Sequence, residues 1–321
     1  MKSANNNFEF EQFTQVSLRP YITPRKGETK LGERVMVGDL KDETFIILGI
    51  CEDIGPRANY GNSGSKHAFD AFLAKFLNMQ SNKTLIGSEC FLAGRINTKA
   101  DSDTIDGLRT MVSELDNFVQ EVLNLFDVSN KTVIIIGGGH NNAYPIIKHY
   151  ATKNSPLHIL NVDPHADCRP LEGRHSGNPF STAIVENLLL SYTVFGLHQR
   201  YNSEGILAFL EAHHCEYRFF EDYLDGQYDL LNDLGAFIEQ CKGKAMGIEI
   251  DLDCIQSMPT SAIGPSGFSV NEIRSFVRAL PKNIAYLHLP EGAPTTPHES
   301  MLVGKTLAYL VSDLITCQQK T

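Results

Sequence analysis

The chain has 321 residues, 42% hydrophobic and 21% charged, an ordinary globular composition with length for one large α/β domain or two smaller ones. Its formal net charge of −10 argues against nucleic acid and anionic membranes as partners, because both select basic surfaces. Seven cysteines without a CxxC pair, a polar opening (Met1-Lys2-Ser3-Ala4-Asn5-Asn6-Asn7) and no apolar run of bilayer length give the expectation of a cytoplasmic protein.

Residues 1–44 carry Pro20, Pro24 and scattered aromatics without a sustained period. They read as an N-terminal extension packing on the single main domain, residues 45–321, or on a neighbouring subunit. Thr44–Cys51 reads as a buried strand, followed by the Gly/Asn/Ser-rich loop Glu52–Ser65 and a helix over about 66–77. Strand, long loop and helix in that order place the loop at the carboxyl edge of a parallel sheet, where ligands bind. The loop's glycine spacing matches neither a dinucleotide fingerprint nor a phosphate loop. Apolar residues between Ile105 and Leu123 recur at helical spacing, and Lys131–Ile136 reads as a strand ending in Gly137-Gly138-Gly139-His140. Those glycines permit a sharp turn that carries His140 to the sheet edge.

Leu157–Leu160 is another buried strand, and beyond it Asp163, His165 and Asp167 occupy every second position. In extended chain they share one face, and two carboxylates with an imidazole suit a divalent cation, the plain alternative being a solvated polar turn. The loop Gly173–Phe180 follows and contributes Arg174 and His175, the latter a candidate proton shuttle. After a helix near 181–190, the strand Tyr192–Leu197 and a mixed segment over 203–240, strict alternation sets Glu249, Asp251 and Asp253 on one face. Three acids in register on a core strand repel one another unless a cation sits among them. Ile284–Leu289 reads as the last strand, delivering Glu291 to the same edge, and a helix over about 296–316 closes the domain.

Taken in order, Gly137-Gly138-Gly139-His140, Asp163-x-His165-x-Asp167 and Asp251-x-Asp253 resemble the three-part signature of the arginase/agmatinase/formiminoglutamase superfamily, the ureohydrolases, over roughly residues 44–316. Asn59-x-Gly61-x-x-Gly64 resembles the family's first active-site loop, and Glu291 its substrate-facing glutamate. The resemblance implies an α/β fold, a doubly wound, mostly parallel sheet with helices on both faces, and two Mn2+ ions per chain. It implies His140, Asp163, Asp167 and Asp251 around one ion and Asp163, His165, Asp251 and Asp253 around the other, with Asp163 and Asp251 as bridges. It also implies Asp167 or Asp253 as holder of the water's proton, His175 as the shuttle to the leaving nitrogen, and Glu291 as partner of a cationic amidine group. Asn59 and Arg174 join Glu291 as expected substrate contacts.

The chain departs from the family pattern at four places. Gly139 stands where arginases usually carry Asp and formiminoglutamases Gly, and Asn141 where that subgroup is usually acidic. Glu249 replaces a small residue, and Cys254-Ile255-Gln256 replaces a frequent Asp-Pro. Glu249 opens a second register, in which Glu249 and Asp251 are the ligands. The expected reaction is hydrolysis of a C–N bond, with N-formimino-L-glutamate as substrate. The alternatives are agmatine, arginine or another guanidino acid, and a non-catalytic binding role. Arg57, Arg169 and Arg174 stand in loops suited to a substrate carboxylate, Arg174 first. The expected partners are that small molecule and further copies of the chain in a homo-oligomer.

Overall fold

The computed structural model describes residues 7–153 and 155–319. Among these residues nine strands make one sheet: β1 (Phe8–Gln12), β2 (Phe45–Cys51), β3 (Cys90–Thr98), β4 (Thr132–Ile136), β5 (His158–Val162), β6 (Ser191–Leu197), β7 (Glu216–Phe219), β8 (Met246–Ile250) and β9 (Ile284–Leu289). Their order is β1-β3-β2-β4-β9-β8-β5-β6-β7. Only the β1–β3 pair is antiparallel. Strand side chains alternate between two apolar layers, as a sheet covered on both faces requires. Ile134 and Ile136 enter one core with the helices Ala68–Phe76, Leu230–Gln240, Val270–Ala279 and Pro297–Gln318. Val133 and Ile135 enter the other with Ile105–Leu123, Ala143–Thr152, Pro179–Val185 and Glu204–Ala212. The doubly wound, mostly parallel α/β architecture is therefore as the sequence leads one to expect.

The N-terminal segment is stitched into this sheet. β1 forms its edge beside β3, and Phe13, Leu18, Leu31 and Val35 are buried in the first core. The helix Pro297–Gln318 is long and apolar enough to cross a bilayer, which corrects the expectation that no such run exists. It is mostly buried and packs on the helix Ala68–Phe76, as a core helix does. Gly304 makes that packing possible, since a Cβ there would lie 2.2 Å from the Ala71 carbonyl oxygen.

Strands β2, β4, β5, β8 and β9 all point their carboxyl ends the same way, and the loops after them carry the polar residues of interest. Adjacent parallel strands thus gather at one edge residues that lie more than a hundred positions apart in sequence.

Candidate metal centre

His140 reaches the edge through the turn after β4. Gly137 and Gly138 have φ of +83° and +71°, a region open to glycine at little cost. Gly139 is required for a different reason: a Cβ there would lie 2.3 Å from Cδ of Pro56, so the turn packs on the loop after β2 with no room for an aspartate. Glu52, which sequence reasoning missed, braces the same junction. Its carboxylate accepts from Gly139 N at 2.6 Å, Asn142 Nδ2 at 2.7 Å and Gly55 N at 3.0 Å. The only sequence signal was an acid placed directly after a buried strand.

The aspartates do not converge by strand alternation. β5 ends at Val162 and β8 at Ile250, so Asp163–Asp167 lies in a loop and Asp253 in a single 3-10 turn capped by Asp251. Asp167 adopts φ +47°, and Asp163 Oδ1 accepts the His165 N–H at 2.7 Å. The expectation that they share the face of an extended strand is therefore corrected.

These loops bring His140, Asp163, Asp167 and Asp251 together, all their ligating atoms within 4.8 Å of one another. Nδ1 of His140 lies 3.1 Å from Asp163 Oδ2, 3.0 Å from Asp167 Oδ2 and 3.0 Å from Asp251 Oδ2. None of the three meets it in hydrogen-bond geometry, and the nitrogen is fully buried. A buried nitrogen ringed this closely by oxygens it does not bond is what a cation between them would explain. Separations of about 3 Å are also those of neighbouring corners of an octahedron around an ion with ligands at about 2.1 Å. Asp163 offers its other oxygen to a second group, with Oδ1 3.5 Å from His165 Nδ1, while Asp253 Oδ2 is 3.6 Å from that nitrogen. Asp163 therefore faces both histidines, one with each oxygen, as a bridging carboxylate would.

Electrostatics supports the same picture. Burial and the charges of Asp253 and Asp163 push the Asp251 carboxyl well above the usual range. Burial raises Asp253 to about 6 against the lowering pull of His165, with Asp163 and Asp167 adding smaller upward pushes, and burial with Asp253 raises Glu291 to about 8. Acids that raise one another in this way ionise together only when cations are present.

The centre opens into a cavity of about 420 Å³ lined by Asn59, His165, Asp167, Asp251, Asp253 and Glu291, along with Arg169, Ser176, Tyr201 and Ser261. Glu291, at φ +66°, accepts from the His140 backbone N–H at 2.6 Å and from the Ser261 hydroxyl. Tyr201 stacks on His165 with ring centroids 5.4 Å apart. Tyr201 and Ser261 carried no sequence signal, each being a lone residue on a loop far from any motif.

Two expectations are corrected, and an alternative is weighed. Arg174 does not reach the cavity: its guanidinium donates to Asp116 Oδ2 at 2.9 Å, Asn178 Oδ1 at 2.6 Å and the Asn141 carbonyl at 2.9 Å, and lies over the Tyr144 ring. His175 is fully buried away from the cavity, with Nδ1 accepting from Gly177 N at 3.1 Å and Nε2 3.2 Å from Asn178 Nδ2. Burial and the neighbouring Arg109 lower its pKa to about 4, so it is neither charged nor placed to shuttle a proton. Glu249 is not on the cavity wall either. It lies inside β8, whereas Asp251 and Asp253 line the cavity, an arrangement that favours the register with those two aspartates.

The sequence model of the Arginase family matches residues 43–316. The chain belongs to the arginase family. This arginase-family chain is a hydrolase of C–N bonds in linear amidines. It is 26% identical over 305 residues to a formimidoylglutamase of Geobacillus thermodenitrificans, covering 89% of this chain and 90% of that one. A formimidoylglutamase of Macrococcus caseolyticus is 25% identical over 257 residues, covering 79% and 75%. Among solved structures, formimidoylglutamase from Bacillus subtilis superposes with TM-score 0.75 at 17% identity, covering 94% of this chain and 98% of that one. Trypanosoma cruzi formiminoglutamase with Mn2+ superposes with TM-score 0.70 at 19% identity, covering 90% and 99%. Both likenesses are of fold.

Proposed function

We propose that this arginase-family hydrolase uses two Mn2+ ions to cleave N-formimino-L-glutamate into L-glutamate and formamide. His140, Asp163, Asp167 and Asp251 would hold one ion, and Asp163, His165, Asp251 and Asp253 the other. Bound there, such ions supply hydroxide at neutral pH by lowering the pKa of water. Glu291 holds the amidinium of the substrate by charge-assisted hydrogen bonds, since each of its oxygens keeps a lone pair beyond those given to His140 and Ser261. Asp253 Oδ1, buried and without a protein partner, takes the proton of the attacking water, with Asp167 as the neighbouring carboxylate. Oxygen bonds to the formimino carbon, the bond from that carbon to the glutamate nitrogen breaks, and the proton leaves with that nitrogen. The seven free cysteines support a cytoplasmic setting.

One observation carries the choice of substrate. Arg169 is the only arginine or lysine among the described residues lining the cavity, and no ion pair engages it. Arg57 and Arg174, by contrast, are bound to Asp101 and Asp116. A free guanidinium on the wall of the cavity that also holds a buried glutamate suits a substrate with an amidinium at one end and carboxylates at the other. The formimidoylglutamase relatives point to the same molecule, whereas agmatine has no carboxylate to offer.

With Mn2+ added, release of formamide from formimino-glutamate is expected to exceed release of urea from arginine or agmatine. Arg169→Ala is expected to raise KM for formimino-glutamate about 10- to 100-fold with little change in kcat, the worth of one charge-assisted contact. A wild-type preference for agmatine, or an unmoved KM, overturns this choice. Asp253→Asn is expected to cut kcat by about 10²-fold or more at saturating Mn2+, well beyond the effect of Glu249→Gln. Stopped assays on both variants check the ranking.

A further inference from the structure

Beside His140, on the side of its second ring nitrogen, lies a polar cluster that the reaction does not touch. Glu249, Tyr286 and His288 have no solvent exposure. Parallel pairing of β8 and β9 sets Glu249 opposite His288 and Gly247 opposite Tyr286. Glu249 Oε1 accepts from the Tyr286 hydroxyl at 2.7 Å, and Oε2 from His288 Nδ1 at 2.6 Å. Gly247 is what lets the tyrosine lie there, because a Cβ at 247 would sit 2.4 Å from its ring. The same Oε2 is 3.5 Å from Nε2 of His140, a buried nitrogen that no hydrogen bond engages.

An ionised carboxylate in a dry interior costs several kcal/mol unless strong donors meet it. Here two donors hold it in one orientation, aimed at a third ring. His140, Glu249 and His288 bring ligating atoms within 4.8 Å of one another, and the Tyr286 hydroxyl and His288 N–H already met by Glu249 make the cluster a hydrogen-bonded one. A neutral imidazole has one N–H and one lone pair, and the proton stays on the nitrogen that faces a carboxylate. The consequence for His140 is specific. With the proton on Nε2, its lone pair is on Nδ1, the atom that faces Asp163, Asp167 and Asp251.

We propose that Glu249 is a positioning residue: clamped by Tyr286 and His288, it fixes His140 in the Nε2–H tautomer and so presents Nδ1 to the ion between the three aspartates. This rests on the reading that His140 holds an ion. The clamp acts on one ion of the two, since His165 and Asp253 have no contact with it.

The test is Mn2+ binding to the full chain, followed by titration and by the electron paramagnetic resonance of the bound ions, in wild type, Glu249→Gln and Tyr286→Phe. In Glu249→Gln one ion is expected to weaken about 10- to 100-fold while the other keeps its affinity, the usual cost of losing a group that orients a metal-binding histidine. Tyr286→Phe is expected to move the same ion in the same direction by less. It removes a single hydroxyl, so it still decides the matter if Glu249→Gln fails to fold. Unchanged affinities in both variants, or equal weakening of both ions, overturn the proposal. A wild-type chain that binds no Mn2+ overturns the proposed metal hydrolase itself, a result distinct from wild-type binding with indifferent variants.

Discussion

Asp163→Ala is expected to lose both Mn2+ ions and to lower turnover on the order of 10⁴-fold or more, because without them the nucleophile is ordinary water. The two oxygens of Asp163 face different histidines, Oδ2 towards His140 and Oδ1 towards His165. Removing the side chain therefore leaves each ion short of a ligand. Asn161, which donates to Asp163 Oδ2 at 3.1 Å, and Tyr192, which lies 3.1 Å from the same amide, fix the orientation of that carboxylate from behind. Metal content and turnover measured on the same preparation check the result, with circular dichroism to confirm the fold. A variant holding two ions would show that Asp163 is not a bridge.

The second large effect is on stability. Asp116 and Arg174 form a buried pair linking the helix Ile105–Leu123 to the loop after β5, with side chains 6% and 12% exposed. Burial raises the Asp116 carboxyl even beside Arg174, so the net worth of the intact pair is small. Breaking it is another matter. Asp116→Ala leaves a guanidinium buried without its counter-charge, at a cost of about 3–5 kcal/mol. Urea unfolding should show that loss, while KM of the folded fraction stays at the wild-type value. A raised KM with unchanged stability would return Arg174 to the substrate.

Arg174 and His175 show where sequence reading stops. Both sit in a glycine-rich loop next to the metal motif, but adjacency in sequence says nothing about which way a loop side chain turns. Ser176 faces the cavity while Arg174 and His175 face the protein. Arg169, one of three arginines in suitable loops, was separable from the others only by its lack of a partner. The buried strands β2, β4, β5 and β9 were legible because they are covered on both faces and so form mostly apolar runs, and β8 through its alternation around Glu249. β3 was not. It contains Gly94, and its Arg95 and Asn97 both reach Glu11 on β1, at 2.8 and 3.3 Å, so its polarity makes sense only beside a partner eighty residues earlier in the chain. β1 and β7, short strands at the two edges, lack a sustained apolar pattern for the same reason.

The strand order has a bearing on timing. β9 is the last strand in sequence, yet it lies between β4 and β8 near the middle of the sheet. During synthesis the half carrying His140 and the half carrying Asp163 and Asp251 must each wait for it, with no direct pairing between them. At about 5–20 residues per second the wait from β4 to β9 is on the order of ten seconds or more. The four groups that would grip the first ion come together only after that strand has docked, so metal loading would be a late event, and an occupied centre would certify a finished fold.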